Sequence, residues 1–246
     1  MSKLLRCPRL PERPVRLVLI SGEYPVLGQR LRELKIEVIE TSFDSRLPKP
    51  TAFHPDMQAC PLDLETLFVL RESSLLKKLA FYDIIATETA GFPQSRYPGD
   101  VLCNAFAWNG FLVGNMGAID KKLRKKALQA GLRELPVRQG YASCSAALVT
   151  ETAAMVSDPG MAEALEKKGF EILRIRPGFI ELPGYDYGFI GGCCGKLAPE
   201  LLAFSGSLQN HPDRERILKF LSRHGVETIE LTNEVLTDVG GIMPLL

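Results

Sequence analysis

The chain has no run of 18 apolar residues, no excess of charge of either sign, and no cysteine pairs at the spacing of zinc-binding loops. Each absence removes a class of protein. Without such a run there is no helical membrane span to expect. Thirty basic and 29 acidic residues leave a net charge of +1, which argues against a partner that demands a basic face, whether nucleic acid or a membrane surface. The opening MSKLLRCPRLPERPVR is charged but lacks the apolar stretch of a signal peptide, and the six cysteines show no disulfide-scaffold spacing. Cys60, Cys103, Cys144 and Cys193 each lie more than 40 residues from the next, whereas zinc ligands usually come as close pairs. The expectation is a reduced, cytoplasmic protein without metal or cofactor, whose partner is a small molecule.

What the chain does have is repetition. Apolar runs begin at Arg16 (RLVLISG), Thr66 (TLFVLRESS), Gly110 (GFLVGNMGA), Ala153 (AAMVSDPG) and Leu201 (LLAFSGSL), spaced 50, 44, 43 and 48 residues apart. A period of this length marks stacked or radial units, none of which can bury its apolar surface alone. Each run leads into an amphipathic segment, for example PVLGQRLREL from Pro25 or DRERILKFLSRHG from Asp213, and then into a return strand such as EVIET or VETIELT. Ser73, Asp158 and the Asp120 region offer oxygens to cap three helices, and Gly225 is placed to end the last. The fold class predicted is α/β, a pseudo-fivefold α/β propeller of strand-helix-strand-strand units of about 45 residues. It occupies residues 1–246 as one domain, with 1–15 as an N-terminal arm.

A second register is drawn through Cys60, Cys103, Cys144, Cys193 and Ile242, read as equivalent positions on innermost strands. Six residues before each stand His54, Tyr97, Arg138, Tyr187 and Leu236; three or four before stand Asp56, Asp100 and Asp238. Convergent titratable groups at one mouth of a pseudosymmetric body make a small-molecule pocket. Core packing is the default for Cys60, Cys103 and Cys144. In GGCCG, flanking glycines let a ligand approach, and the register selects Cys193 of the adjacent pair. Cys193 and His54 are therefore the catalytic candidates, with Asp56, Asp100, Asp238, Tyr97, Tyr187 and Arg138 as ligand-binding candidates. The His-Pro-Asp of residues 54–56 recurs at 211–213, where it reads as an ordinary turn.

Five such units, glycine-rich inner strands and the C-terminal DVGGIMPLL resemble the pentein, or α/β-propeller, fold of the guanidino-group-modifying enzymes. That resemblance implies a nucleophilic cysteine after a glycine-rich run in the last unit, a His-x-Asp motif in the unit before, and carboxylates that grip a guanidinium. Here Ile242, Met243 and Pro244 stand where the thiol would fall, and Tyr187-Gly188-Phe189 where the His-x-Asp would be. His54 and Asp56 form His-x-Asp in the first unit instead. The resemblance thus implies a thiol-dependent hydrolase or amidinotransferase acting on a guanidino or amino-acid-like compound, with Cys193 in place of the lost thiol. The alternative is a catalytically silent binding or assembly protein, because the fold is similar to that of the ribosomal anti-association initiation factor.

Overall fold

In a computed structural model, which describes residues 4–246, the apolar runs become the middle strands of five three-stranded sheets. Each middle strand, Leu17–Ile20, Leu67–Val69, Phe111–Gly114, Ala153–Val156 or Leu201–Phe204, pairs parallel with an outer strand that follows it across a helix. It pairs antiparallel with a short inner strand, which in four sheets comes just before it in the chain: Ala59–Pro61, Phe106–Trp108, Ala146–Leu148 and Cys194–Ala198. The first sheet is the exception. Its inner strand is Met243–Pro244, which pairs with Val18 and Leu19. The last strand of each repeat therefore belongs to the next sheet, and the two ends of the chain are joined through backbone hydrogen bonds.

Five apolar clusters match this arrangement, one between each pair of neighbouring sheets. Leu17 and Leu19 face the second sheet, while Val18 and Ile20 face the fifth. In the fourth sheet Ala153 and Met155 face the fifth, and Ala154 and Val156 face the third. Side chains alternate between the two faces of a strand, so a strand buried on both faces must be apolar throughout. That is why the runs read as unbroken apolar stretches. The cluster between the fifth and first sheets, with Ala203, Leu231 and Ile242 against Val18, Leu27 and Leu31, closes the ring.

The helices lie outside. Asp120 caps Lys121–Gln129 by accepting from the amides of Lys122 and Leu123, and Asp158 caps Pro159–Glu166 by accepting from that of Met161. Gly225 follows Arg214–Arg223 with φ of +66°, the left-handed position that glycine takes without a Cβ penalty. Residues 4–15 cross one face of the ring: the amides of Leu5 and Val15 donate to the carbonyls of Leu245 and Leu197. From this arm the Arg9 guanidinium enters between the fourth sheet and the axis, donating to the carbonyl of Ser143 at 3.1 Å and to the Ser143 hydroxyl.

The pairings correct the cysteine register. The residues facing the end of each middle strand are Ala59, Ala146 and Cys194, opposite Val69, Val156 and Phe204. By continuation of the third and first ladders, Ala105 faces Gly114 and Ile242 faces Ile20. Cys60 lies one residue after this position, Cys193 one before, and Cys103 and Cys144 two before. All four are buried and free, but only Cys60 lies on an inner strand. Cys144 and Cys193 sit in the short helical turns Ala142–Ser145 and Ile190–Cys193 that precede one. Small residues occupy four of the five shared positions, Ile242 being the exception, and a cysteine serves equally well in the turn before one.

Candidate active site

Five residues before four of the five corrected positions stand His54, Asp100, Tyr141 and Phe189, with Thr237 before the fifth. Three of these, His54, Tyr141 and Phe189, line one cavity of about 290 Å³ together with Thr51, Cys144, Tyr187 and Asp238. The fourth, Asp100, is buried behind it and accepts a hydrogen bond of 2.6 Å from the Tyr141 hydroxyl. Burial and this carboxylate both hold the Tyr141 phenol in its protonated form. No lysine or arginine lines the cavity.

The floor is a cluster of thiol, carboxylate and imidazole. Cys144 Sγ donates to Asp56 Oδ2 at 2.8 Å. Asn104 is threaded beneath: its Nδ2 lies 3.3 Å from Cys144 Sγ and 3.3 Å from the Asp56 carbonyl, and its Oδ1 accepts from the Ser143 amide at 2.7 Å. His54 Nδ1 lies 3.7 Å from Asp238 Oδ1. Asp238 is held by the amides of Phe189 and Gly240, at 2.9 and 3.0 Å. Gly240, at φ +77°, turns the chain so that its α-carbon passes directly over His54, with no room for a Cβ. Gly192 stands against the Asp238 carboxylate in the same way. These close approaches account for the glycine pairs 191–192 and 240–241.

Burial sets the electrostatics. It holds the His54 imidazole down to about 3, so the ring is neutral near pH 7. It pushes Asp56 up to about 7, with the nearby Asp238 charge adding to the effect. Burial likewise pushes Asp238 up to about 6, against the two amide hydrogen bonds that favour its ionised form. The Cys144 thiol is raised well above its ordinary value by burial and then by the Asp56 and Asp238 carboxylates. The cluster thus gathers a neutral imidazole, a protonated thiol and two carboxyls raised above their ordinary range, and among the described residues no lysine or arginine forms a salt bridge with either carboxyl. Perturbed groups gathered in one cleft are the signature of a functional site.

Of the residues singled out from the sequence, His54, Asp238 and Tyr187 line the cavity, Asp56 is buried behind it against the Cys144 thiol, and Asp100 supports it through Tyr141. Tyr97 and Arg138 do not line it. Tyr97 is half exposed and packs 6.0 Å, ring to ring, from Tyr141, while the Arg138 side chain is exposed. Both were reached by counting from a register displaced by two. Cys193 does not line the cavity either. Its thiol donates to the Ile190 carbonyl at 3.2 Å within the cluster between the fourth and fifth sheets. The cavity thiol is Cys144, which the sequence assigned to core packing. Asn104 carried the one signal that could have found it, as the lone polar residue in VLCNAFAW, since a buried amide needs partners.

Residues 19–243 match the model of a family of unknown function, DUF6873, and the chain belongs to that family. No curated protein matches it. Solved structures with the same architecture include the inosamine-phosphate amidinotransferase of Streptomyces griseus, at 12% identity and a TM-score of 0.60 over 100% of this chain and 96% of that one. DDAH from Pseudomonas aeruginosa, solved with citrulline, aligns at 10% identity and a TM-score of 0.58, over 95% of this chain and 100% of that one. Agmatine deiminase of C. jejuni aligns at 13% identity and 0.54, over 96% and 94%. The fold is the pentein fold, shared with structures of guanidino-modifying enzymes. Among the described residues no helix is long and apolar enough to cross a membrane.

Proposed function

We propose that this cavity binds a small cationic ligand of the guanidino class, and that the protein is a thiol-dependent hydrolase or amidinotransferase with Cys144 as its nucleophile. The observation that supports this most directly is the meeting of Cys144, His54 and Asp238 on one cavity whose lining offers no cationic side chain, with Asp56 buried behind it and hydrogen-bonded to the Cys144 thiol. Buried carboxylates without a counterion favour a cation that can replace lost hydration with hydrogen bonds. Tyr141 and Tyr187 add ring faces that suit a flat cation.

The chemistry follows from the geometry. A guanidinium between Asp56 and Asp238 opposes the effect that raises the Cys144 thiol, so ligand entry favours the thiolate. Asp56, already hydrogen-bonded to Sγ, takes the thiol proton. Sγ then attacks the central guanidino carbon, and an amine or ammonia leaves with a proton delivered through His54. The amidino thioether left on Cys144 is resolved by water, giving a ureido product, or by an acceptor amine, giving a new guanidino compound. Either route returns the thiol.

The test is incubation with arginine, methylated arginines and agmatine, following product by mass spectrometry and trapping a covalent adduct after acid quench. The expected result is turnover with an adduct on Cys144, both lost in Cys144→Ser. Saturable binding without turnover would assign the protein to the silent binding class. No binding to any member of the panel would overturn the guanidino reading.

A further inference from the structure

Three unlike donors meet on the cavity floor. One atom each from His54, Asp56 and Cys144 lie within 4.8 Å of one another, and all three side chains are buried. Two of these groups also have unused valence. Neither ring nitrogen of His54 has a hydrogen-bond partner, and nor does Asp56 Oδ1. A buried polar atom without a partner is destabilising, and here three such atoms belong to one cluster. From this we infer that His54, Asp56 and Cys144 form a binding site for a divalent transition cation of the zinc class.

The donor set selects the metal. A thiolate and an imidazole disfavour magnesium and calcium, which require oxygen shells, and favour zinc or its neighbours. Three protein ligands with the remaining direction open to a cavity is the arrangement of zinc sites that also bind a small molecule. His54 and Cys144 both line that cavity. Metal-bound imidazoles commonly direct their second nitrogen to a carboxylate, and the carboxylate nearest to His54 is Asp238, at 3.7 Å from Nδ1. Asn104 and the amide-held Asp238 give the cluster a fixed surround. The spacing argument against a metal concerned the four cysteines as a set. It says nothing about three different donors drawn from two turns that meet only on closure of the ring.

The cation would occupy the thiol, carboxylate and imidazole that the guanidino chemistry uses, so metal and guanidino ligand would compete for one cluster; the inference itself does not depend on the guanidino reading and can be measured with no organic compound present. Protein stripped with EDTA is titrated with Co²⁺ and followed by absorbance, then challenged with Zn²⁺. Saturation at one equivalent is expected, with the visible bands of four-coordinate cobalt, a thiolate charge-transfer band in the near ultraviolet, and displacement by Zn²⁺. Cys144→Ser should abolish the charge-transfer band, and His54→Ala or Asp56→Asn should weaken Co²⁺ binding by at least about tenfold. Because a variant can misfold, the wild-type protein supplies a second readout: Zn²⁺ should shield Cys144 from alkylation, as mapped by mass spectrometry, and leave Cys7 reactive. Absence of saturable binding, or alkylation of Cys144 unaffected by Zn²⁺, would overturn the inference. So would a charge-transfer band that survives Cys144→Ser and disappears in Cys193→Ser or Cys194→Ser.

Discussion

Cys144 donates a 2.8 Å hydrogen bond to Asp56 from 88 residues further along the chain. The two residues precede the inner strands of the fourth and second sheets, and the ring brings them to one side of its axis. Beneath them Asn104, from the third sheet, lies within 3.3 Å of both the Cys144 sulfur and the Asp56 carbonyl. Three consecutive units thus supply one cluster, and Asp238 from the end of the chain completes it beside His54. The stability and the chemistry of the cluster can be separated by substitution.

Asp56 offers a pH test. Its carboxyl is pushed up to about 7 from 3.8, so the fold disfavours the ionised form. Below about pH 4 the group is protonated in both folded and unfolded chains and carries no penalty. The penalty grows as pH rises from about 4 to about 7 and is constant above, at about 1.4 kcal/mol for each pKa unit. In EDTA-treated protein, Asp56→Asn should therefore be more stable than wild type at pH 8, with the difference fading toward pH 4. Urea midpoints across this range measure it; a difference that does not vary with pH would contradict the assignment.

The two cysteine candidates separate by alkylation. Cys193→Ala removes a sulfur from the cluster between the fourth and fifth sheets and should cost about 1–2 kcal/mol, while ligand binding and alkylation of Cys144 persist. Cys144→Ala should lose the ligand-protected alkylation signal altogether. Retention of that signal in Cys144→Ala, with its loss in Cys193→Ala, would restore Cys193 as the reactive thiol.

Gly192→Ala would drive a Cβ into the Asp238 carboxylate. Overpacking of this kind costs about 1–3 kcal/mol, and the displaced carboxylate should weaken cation binding. Gly131→Ala is the control: its φ of +84° makes it strained, yet nothing lies within 4 Å of the added carbon. Calorimetry should show both variants destabilised and only Gly192→Ala impaired in binding.

Removal of residues 243–246 tests closure. Met243–Pro244 is the inner strand of the first sheet, and the amides of Arg16 and Leu17 donate to the Leu246 carbonyl. Truncation after Ile242 would leave the Leu17–Ile20 edge unpaired and the contacts around Leu245 open. The expected outcome is loss of a single cooperative thermal transition, with aggregation seen by size-exclusion chromatography. A truncated chain that melts as wild type would show that the ring does not need its closing strand.

Much of the architecture was legible because its causes are local or periodic. Unbroken apolar runs such as LVLI reported strands buried on two faces, and their period reported the number of units. Asp120, Asp158 and Gly225 marked helix ends through interactions with their own neighbours. Inner-strand register was not legible, because it depends on which residues face one another across a ladder. A displacement of one or two residues was enough to select Tyr97 and Arg138 over Tyr141, while the glycines flanking Cys193 favoured it over Cys144.

The tripeptide His-Pro-Asp, present twice, shows where the division falls. At 211–213, His211 Nδ1 accepts from the Asp213 amide at 3.1 Å, and the buried Asp213 is paired with Arg176 and Arg216 at the start of a helix. At 54–56 the same three residues present an unpartnered imidazole to a cavity and set an elevated carboxyl against the Cys144 thiol behind it. The sequence by itself determined that both would turn the chain, since proline and a short carboxylate act on the adjacent backbone. Which one became a site was decided only by the tertiary structure, through the residues brought against it. Charge and burial come from neighbours that are distant in the chain, Asp238 and Cys144 in one case and Arg176 in the other.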